Sequence, residues 1–232
     1  MKHIYFFVVI LSMGLASVTS AQSRLVQAGV TDLKAGPLFT GGGTVNAGDV
    51  AGGTKTSPCG AFSGGALFDF SYTSNVGFDL GVVYDARYIN FHNAINTAAG
   101  VTYSFGYLAL RPELRFSGFL IGVGLGLPVG TNAVGSGGAV SPSIATRDMN
   151  ALFEGRLGGT VELMQSDLGT LNFTAEASYA FSRPIINSWF NGADNTKNNG
   201  PLATLEVGIN YLFDLMPYHQ NEPAAVAISP GQ

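Results

Sequence analysis

The groups best able to do chemistry in this sequence are carboxylates and arginines at alternate positions of regular segments. In 107–116, for example, Arg111, Glu113 and Arg115 alternate with apolar residues. Charges gathered on one face of a strand can neutralise each other in ion pairs, or they can line a path for ions. The whole set comprises Lys34, Asp69, Asp79, Asp85, Arg87, Arg111, Glu113, Arg115, Glu154, Arg156, Glu162, Glu176 and Glu206.

Groups suited to covalent catalysis are scarce. Beyond residue 21 the histidines are His92 and His219, and the segment 89–101 around His92 contains no acidic residue. A serine nucleophile needs a histidine that a further group orients. Asp194 has too few carboxylate neighbours for Ca²⁺, and the glycine runs lack the lysine of a phosphate-binding loop. We therefore predict a non-enzymatic protein with no catalytic, cofactor-binding or metal-binding residue.

A second group of candidates lies in 187–200, where Trp189 and Phe190 stand beside several asparagines. An aromatic side chain next to amide groups can contact a glycan or a protein surface. The alternative is a polar loop whose Trp189 rests at a membrane rim. We treat Trp189 and Phe190 as contact candidates for an extracellular or periplasmic protein or glycan.

Eight segments alternate apolar with polar or small residues, and this period of two predicts β-strands. They are 33–40, 62–72, 76–88, 107–116, 119–127, 153–163, 171–181 and 204–213. Short turns at 74–75, 116–118 and 165–169 alternate with long loops at 41–60, 89–101, 129–149 and 183–200. The pattern predicts an all-β fold of eight antiparallel strands connected up and down.

The composition of the 232 residues excludes several other classes. Charged residues make up 11%, against about 25% in typical proteins. The 32 glycines disfavour a helical bundle, because each costs a helix about 1 kcal/mol. Disorder would need more charge and fewer aromatic residues. The net charge of −4 argues against binding to nucleic acid.

Alternation alone does not separate a soluble barrel from a membrane barrel, but three further features favour the membrane. Strands of about 11 or 12 residues tilted near 45° rise roughly 25 Å, which matches the apolar band of an outer-membrane barrel. Short turns alternate with long loops, as in that architecture. Aromatic residues of the apolar face gather near both strand ends. One end has Tyr72, Phe78, Phe116, Phe119, Tyr211 and Phe213, and the other has Phe62, Tyr88, Tyr179 and Phe181.

The charges would then face the barrel interior, where two roles are open. An eight-stranded barrel is only wide enough for its own side chains to fill, so the charges can pair into a structural plug. Arg111 and Glu113 would lean over the glycines of 122–126 on the next strand. The alternative is a narrow porin-like diffusion channel lined by the same arginines and carboxylates.

The ends of the chain predict export. Residues 1–21 have the charged start, apolar run and small-residue end of a cleaved signal peptide, and that run is too short to span a membrane. We expect a transmembrane barrel over 22–213 and a short periplasmic tail over 214–232. Cys59, the only cysteine, is expected in a loop without a disulfide. Pro37 and Pro112 lack a ladder donor and are expected at β-bulges near the rim.

At this point the chain from 33 to 213 resembles the small outer-membrane β-barrel proteins that include the PorT-like and OmpA-like families. The segment 107–116 with 118–126 looks like the central hairpin of the PorT-like set. The closing strand is similar to the barrel-assembly signal, whose places are held by Glu206, Gly208, Tyr211 and Phe213. The tail is a departure, since that signal usually ends the chain.

The resemblance implies a cell outer membrane location in a Gram-negative envelope, contact with outer-membrane lipids, and reading of the last strand by the barrel-assembly machinery. From the residues and this resemblance we expect a monomeric barrel with an envelope-structural or surface-interaction role.

Overall fold

The alternating segments form hydrogen-bonded strands. The computed structural model describes residues 29–48, 53–95, 99–136, 144–185 and 200–215. Within them the strands are β1 (Asp32–Asn46), β2 (Thr54–Ser57), β3 (Cys59–Ser71), β4 (Val76–Asn93), β5 (Gly100–Phe116), β6 (Phe119–Ser136), β7 (Leu152–Ser166), β8 (Gly169–Ala180) and β9 (Leu202–Asp214), with a 3₁₀ turn at Thr146–Asp148. No helix among these residues is long and apolar enough to cross a membrane.

The strands close into an antiparallel, up-and-down barrel. β2 and β3 both pair with β4 and are separated only by Pro58, so together they make one of eight staves. A path of directly paired residues that leaves β1 at Lys34 returns to β1 at Thr44, ten residues further along; it runs through Asp69, Asp79, Glu113, Gly122, Arg156, Ser178 and Thr204. With eight staves, this stagger gives a strand tilt of about 40° and a backbone radius of about 8 Å.

Alternation separates the two faces of the barrel wall, as β6 illustrates. Leu120 points inward and is 3% exposed, whereas its neighbours Phe119 and Ile121 point outward and are 50% and 47% exposed. The charged residues Asp85, Arg87 and Glu154 lie inside and are fully buried. A soluble barrel would place these two kinds of residue the other way round. The eight-stranded, inside-out barrel predicted from the alternation is confirmed.

Two aromatic belts ring the apolar exterior. Belts of this kind mark the two interfaces of a membrane. Near the short turns, which define the periplasmic end of an outer-membrane barrel, the ring pairs are Phe70–Phe78 at 6.1 Å and Tyr211–Phe213 at 4.9 Å between centroids. Near the other end they are Phe62–Tyr84 at 6.0 Å and Phe153–Phe181 at 5.5 Å.

The short turns are where the pattern predicts them, but three of the four long loops are shorter than predicted, while the loop predicted at 183–200 is bounded by the end of β8 and the start of β9. Ser117 (φ 50°) and Gly118 (φ 84°) make the two-residue hairpin turn between β5 and β6, in a conformation that glycine adopts without strain. At the other end the ladder continues well into the predicted loops 41–60, 89–101 and 129–149. Above the membrane the outer face meets water, so the apolar alternation fades while the backbone pairing continues. Cys59 therefore opens β3 instead of lying in a loop, and it is a free thiol.

The prediction that Pro37 and Pro112 lie at bulges is wrong. The register shifts lie elsewhere, between Gly106 and Tyr107 and between Glu162 and Met164. Each proline instead stands in a gap of one ladder: the β1–β9 pairing resumes at Leu38, and the β5–β6 pairing skips Arg111 and Pro112. Because proline has no backbone N–H to donate, each ladder is interrupted at its proline. On the other side of the strand the pairing continues, as Pro37 lies opposite Ala66 and Pro112 opposite Leu80.

Candidate functional site in the barrel interior

Arg156 on β7 is the hub of the buried charges. Its Nε donates to Glu113 Oε1 at 2.9 Å and its Nη1 to Glu154 Oε1 at 2.7 Å, while its Nη2 contacts Glu176. The three carboxylates come from three different strands, β5, β7 and β8. One guanidinium thus binds carboxylates of β5 and β8 together with one of its own strand, which suits its fixed fork of donors.

Two further arginines extend this network. Arg87 Nη2 lies 2.7 Å from both Asp85 Oδ2 and Glu154 Oε2. Arg111 Nη2 lies 3.0 Å from Asp85 Oδ2 and 3.4 Å from Glu206 Oε2. Together these residues form the central ion-pair cluster, defined as Asp85, Arg87, Arg111, Glu113, Glu154, Arg156, Glu176 and Glu206. Its three arginines face five carboxylates.

Hydroxyl groups supply the remaining donors to one of these carboxylates. Thr40 and Ser63 each donate to Glu206 Oε1 at 2.8 Å, and Ser63 in turn accepts from Arg111 at 2.7 Å. Glu206 is 2% exposed, so these bonds replace the water that its charge would otherwise need.

A second group lies nearer the periplasmic end. Arg115 Nη2 lies 2.6 Å from Asp69 Oδ1, and its Nε lies 3.4 Å from Asp79 Oδ1. At the rim, Lys34 Nζ is within 3.5 Å of Asp32 and 3.2 Å of Asp214, which ties β1 to the end of β9.

Glycines on the facing strands make room for the charged side chains. A Cβ at Gly122 would lie 2.5 Å from Glu113 Cγ, one at Gly124 would lie 2.5 Å from Glu154 Oε1, and one at Gly158 would lie 2.5 Å from Glu176 Cγ. Real Cβ atoms do not approach so closely. Glu113 therefore leans over Gly122 of β6 as predicted, whereas Arg111 packs against Gly81 of β4 instead of the glycines of β6.

Apolar residues fill much of the remaining interior, which the sequence pattern did not predict. Beyond the central ion-pair cluster, at the outer end, inward side chains pack with Met149, which follows the 3₁₀ turn, and with Ile185, which follows β8. This outer apolar cluster consists of Ile89, Phe91, Tyr103, Phe105, Tyr107, Met149, Leu152, Ala180, Ile185 and Leu202. Tyr103 belongs to the part of β5 that extends past the outer aromatic belt, and burial raises the pKa of its hydroxyl to about 12. On the periplasmic side, Leu38, Leu67, Val83, Ala109 and Leu212 pack together inside the barrel.

Exposure of the interior arginines falls steadily from one end to the other. The side chain of Arg115 is 15% exposed, that of Arg111 3%, that of Arg156 1% and that of Arg87 0%. Arg87 lies directly beneath the outer apolar cluster. The described interior is thus sealed at its outer end and accessible from the periplasmic end.

The other candidate residues are placed differently from the buried charges. Glu162 was expected in the interior network, but it lies exposed at the periplasmic end of β7 and joins none of the ion pairs among the described residues. In the proposed assembly signal, Glu206 and Gly208 face inward, whereas Tyr211 and Phe213 form an edge-to-face pair on the outer wall. The contact candidates Trp189 and Phe190, the predicted signal peptide 1–21 and the predicted tail beyond Leu215 lie outside the described residues.

His92, which was expected in a loop, lies on β4. Its Nδ1 is 3.4 Å from Ser57 Oγ and 3.3 Å from Asn90 Oδ1. A catalytic histidine needs the nucleophile at one ring nitrogen and the orienting group at the other. Here both partners meet the same nitrogen, so the arrangement lacks the geometry of a proton relay. Within the described ranges, no three His, Cys, Asp or Glu side chains are grouped as metal ligands.

A closed barrel with an apolar, belted exterior and paired charges inside defines the class of small, integral outer-membrane β-barrels. No protein-family profile matches the chain, and no curated protein is similar to it. Among solved structures, the chain is similar to Neisserial surface protein A (11% identity, 79% of this chain and 98% of that chain, TM-score 0.36). It is also similar to the outer membrane protein OprG from Pseudomonas aeruginosa (14% identity, 78% of this chain and 94% of that chain, TM-score 0.30). A third similar structure is that of Ail, the attachment invasion locus protein of Yersinia pestis (11% identity, 78% of this chain and 98% of that chain, TM-score 0.34).

Proposed function

We propose that this chain is a closed, non-enzymatic outer-membrane scaffold with an envelope-structural or surface-interaction role. The observation that carries the proposal is the filled cross-section: the central ion-pair cluster spans the barrel, and the outer apolar cluster lies directly above it. A hydrated ion would have to break several buried ion pairs and then cross an apolar layer, which is costly at both steps. What such a barrel offers to partners is its outer surface.

In this proposal the outer segments carry the contacts. Trp189 and Phe190 would meet an extracellular protein or glycan, and Glu206, Gly208, Tyr211 and Phe213 would be read by the barrel-assembly machinery as the last strand. The shared Nδ1 contact of His92 supports the non-enzymatic part of the proposal. Export through a cleaved signal peptide and a monomeric state complete it.

The experiment is swelling of proteoliposomes in small sugars, with protein first verified as folded by its shift on an unboiled gel. We expect swelling no faster than in protein-free liposomes. Swelling that grows with the amount of folded protein would contradict the scaffold.

The second candidate, a narrow diffusion channel, is favoured by one observation. The periplasmic half of the interior contains a cavity of about 60 Å³ lined by Asp79, Glu113, Arg111 and Arg115, among others. A channel would need this cavity to continue past Arg111 to the outer end. Swelling that is faster for small sugars than for large ones, and that changes in Arg111 variants, would favour the channel.

A further inference from the structure

The hairpin that joins β7 to β8 extends past the neighbouring turn at the periplasmic end. β6 begins at Phe119, whose partner on β7 is Gly159. β7 itself continues to Ser166 in its pairing with β8. Among the described residues, the stretch 161–166 is therefore paired with a strand on one side only, and we call it the free edge of β7.

The free edge presents backbone groups to its vacant side. Thr160, which precedes it, donates its N–H to Gly118 O at 2.7 Å on the β6 side. Because backbone groups alternate in direction along a strand, Glu162 turns its N–H and C=O to that same side. No strand of the described chain pairs with it there. An edge of this kind either accepts a further strand or needs protection against one.

Apolar side chains of the hairpin are exposed below the periplasmic aromatic belt. Leu163 is 58% exposed, Met164 54% and Leu168 74%. Met164 pairs with Leu171, and Leu171 pairs with Tyr211 of that belt. Since the strands tilt by about 40°, each step from β9 towards β7 descends about 3 Å, and Met164 lies about 6 Å on the periplasmic side of Tyr211. Apolar surface in that position favours a covering segment.

The sequence beyond β9 contains a segment that fits this edge in length and composition. Residues 224–229, Ala-Ala-Val-Ala-Ile-Ser, lie outside the described residues, are uncharged, and place Val226 and Ile228 at alternate positions. β-Branched residues at a period of two are typical of a strand. Pro223 and Pro230 flank the segment and would confine a strand to the residues between them, which are as many as those of the free edge.

The place where the chain leaves β9 allows this contact. The N–H of Leu215 donates to Leu33 O at 2.9 Å, so the chain leaves the barrel at its periplasmic end, beside β1. The vacant position beside β7 is three strand spacings from β9, or about 14 Å. Residues 216–223 reach up to about 26 Å when extended. From there 224–229 would run back towards the membrane, antiparallel to β7.

We propose that residues 224–229 add a strand to the free edge of β7 and cover the apolar side chains of the hairpin. Backbone hydrogen bonds with Glu162 would supply the pairing, as when a peptide joins an exposed sheet edge. The segment has no acidic residue that would repel the Glu162 carboxylate. A strand held there would keep the edge from pairing with a second barrel. The inference goes beyond the proposed function, and neither swelling nor conductance bears on it.

The direct test is amide hydrogen exchange of Glu162, followed by nuclear magnetic resonance of the folded full-length barrel in detergent micelles. This amide should exchange at least about tenfold more slowly in the native protein than in the Val226→Pro variant, because proline interrupts the added strand. Asn221→Pro is the matched control, since its proline lies outside 224–229 and should leave the exchange rate unchanged. Equal exchange in all three proteins would overturn the inference, and is the result expected if a foreign protein occupies the edge.

A second measurement separates the chain's own segment from a second copy of the barrel. In a Cys59→Ser background, a nitroxide attached at Ala227→Cys should broaden the amide signal of Glu162 in the same molecule. A mixture of ¹⁵N-labelled native barrels with unlabelled, nitroxide-bearing barrels should show no broadening. Broadening in the mixture would assign the edge to a second copy, and its absence from both samples would place 224–229 elsewhere. Either result would refute the proposal.

Discussion

Replacement of Gly124 by alanine should destabilise the barrel through a residue on the neighbouring strand. The new Cβ would lie 2.5 Å from Glu154 Oε1 and 2.6 Å from its Cγ. Glu154 has no free space to retreat into, because it is fully buried and its oxygens lie 2.7 Å from both Arg87 and Arg156. The smallest side-chain addition therefore forces the carboxylate away from two buried arginines.

The magnitude follows from these two effects. Overpacking of a tight interior costs about 1–3 kcal/mol. A full separation of the carboxylate from its arginines would bring the loss to about 3–5 kcal/mol, the range for breaking a buried ion pair. We expect the free energy of unfolding to fall by at least about 2 kcal/mol, between these limits.

The assay is urea unfolding of the barrel in lipid vesicles, followed by circular dichroism and by gel shift. Gly130→Ala is the matched control on the same strand, because a Cβ there meets nothing within 4 Å. In a Glu154→Ala background the Gly124→Ala change should cost little more, since the clash is gone. Equal stability of Gly124→Ala and Gly130→Ala would refute the account of glycines as space for the charges.

Three other changes test separate parts of the structure. Arg111→Ala should lower the unfolding free energy by about 3–5 kcal/mol, because it removes one of the two arginines that neutralise buried Asp85 and also a cation beside buried Glu206. Lys55→Ala at an exposed site should not lower it, and the unboiled gel-shift temperature checks both variants. Val123→Arg should cost about 2–4 kcal/mol in lipid, since this outward residue lies midway along the apolar band, while Val134→Arg beyond it should cost little by urea titration. Burial raises the pKa of the Tyr103 hydroxyl to about 12 in the folded protein, above the unfolded value of about 10. Its contribution to the free energy of unfolding is therefore fully present below pH 10 and is lost as the pH rises from 10 to 12. Tyr103→Phe should flatten that loss in unfolding curves measured across this range, and an unchanged curve would argue against the buried hydroxyl.

The sequence allowed the barrel and its two faces to be predicted because the membrane imposes a strict period. On β6 every second residue from Phe119 to Leu127 is large and apolar, and the residues between them are Leu120 and glycines. Lipid tolerates no charge on the outer face, so Arg111, Glu113 and Arg156 had to lie inside. Which of these charges pair with each other depends on the register between neighbouring strands. The sequence therefore predicts which charged residues lie inside the barrel, but not their ion pairs.

The outer third of the barrel could not be predicted by the same reasoning. Tyr103 and Phe105 alternate with polar residues, as lipid-facing residues do, yet they point inward and pack with Met149 and Ile185 from outer segments. Above the membrane the apolar face turns to the inside, as in a soluble protein, and a period of two does not say which face is which. The extent of β4 and β6 was underestimated for the same reason.

The measurement that tests the closed interior most directly is single-channel current in a planar bilayer, with barrels first verified as folded and inserted. The central ion-pair cluster and the outer apolar cluster together predict silence from the native protein at all moderate voltages. Steady openings that change when Arg111 or Glu113 is substituted would contradict the account, because the paired charges would then line a path instead of closing one.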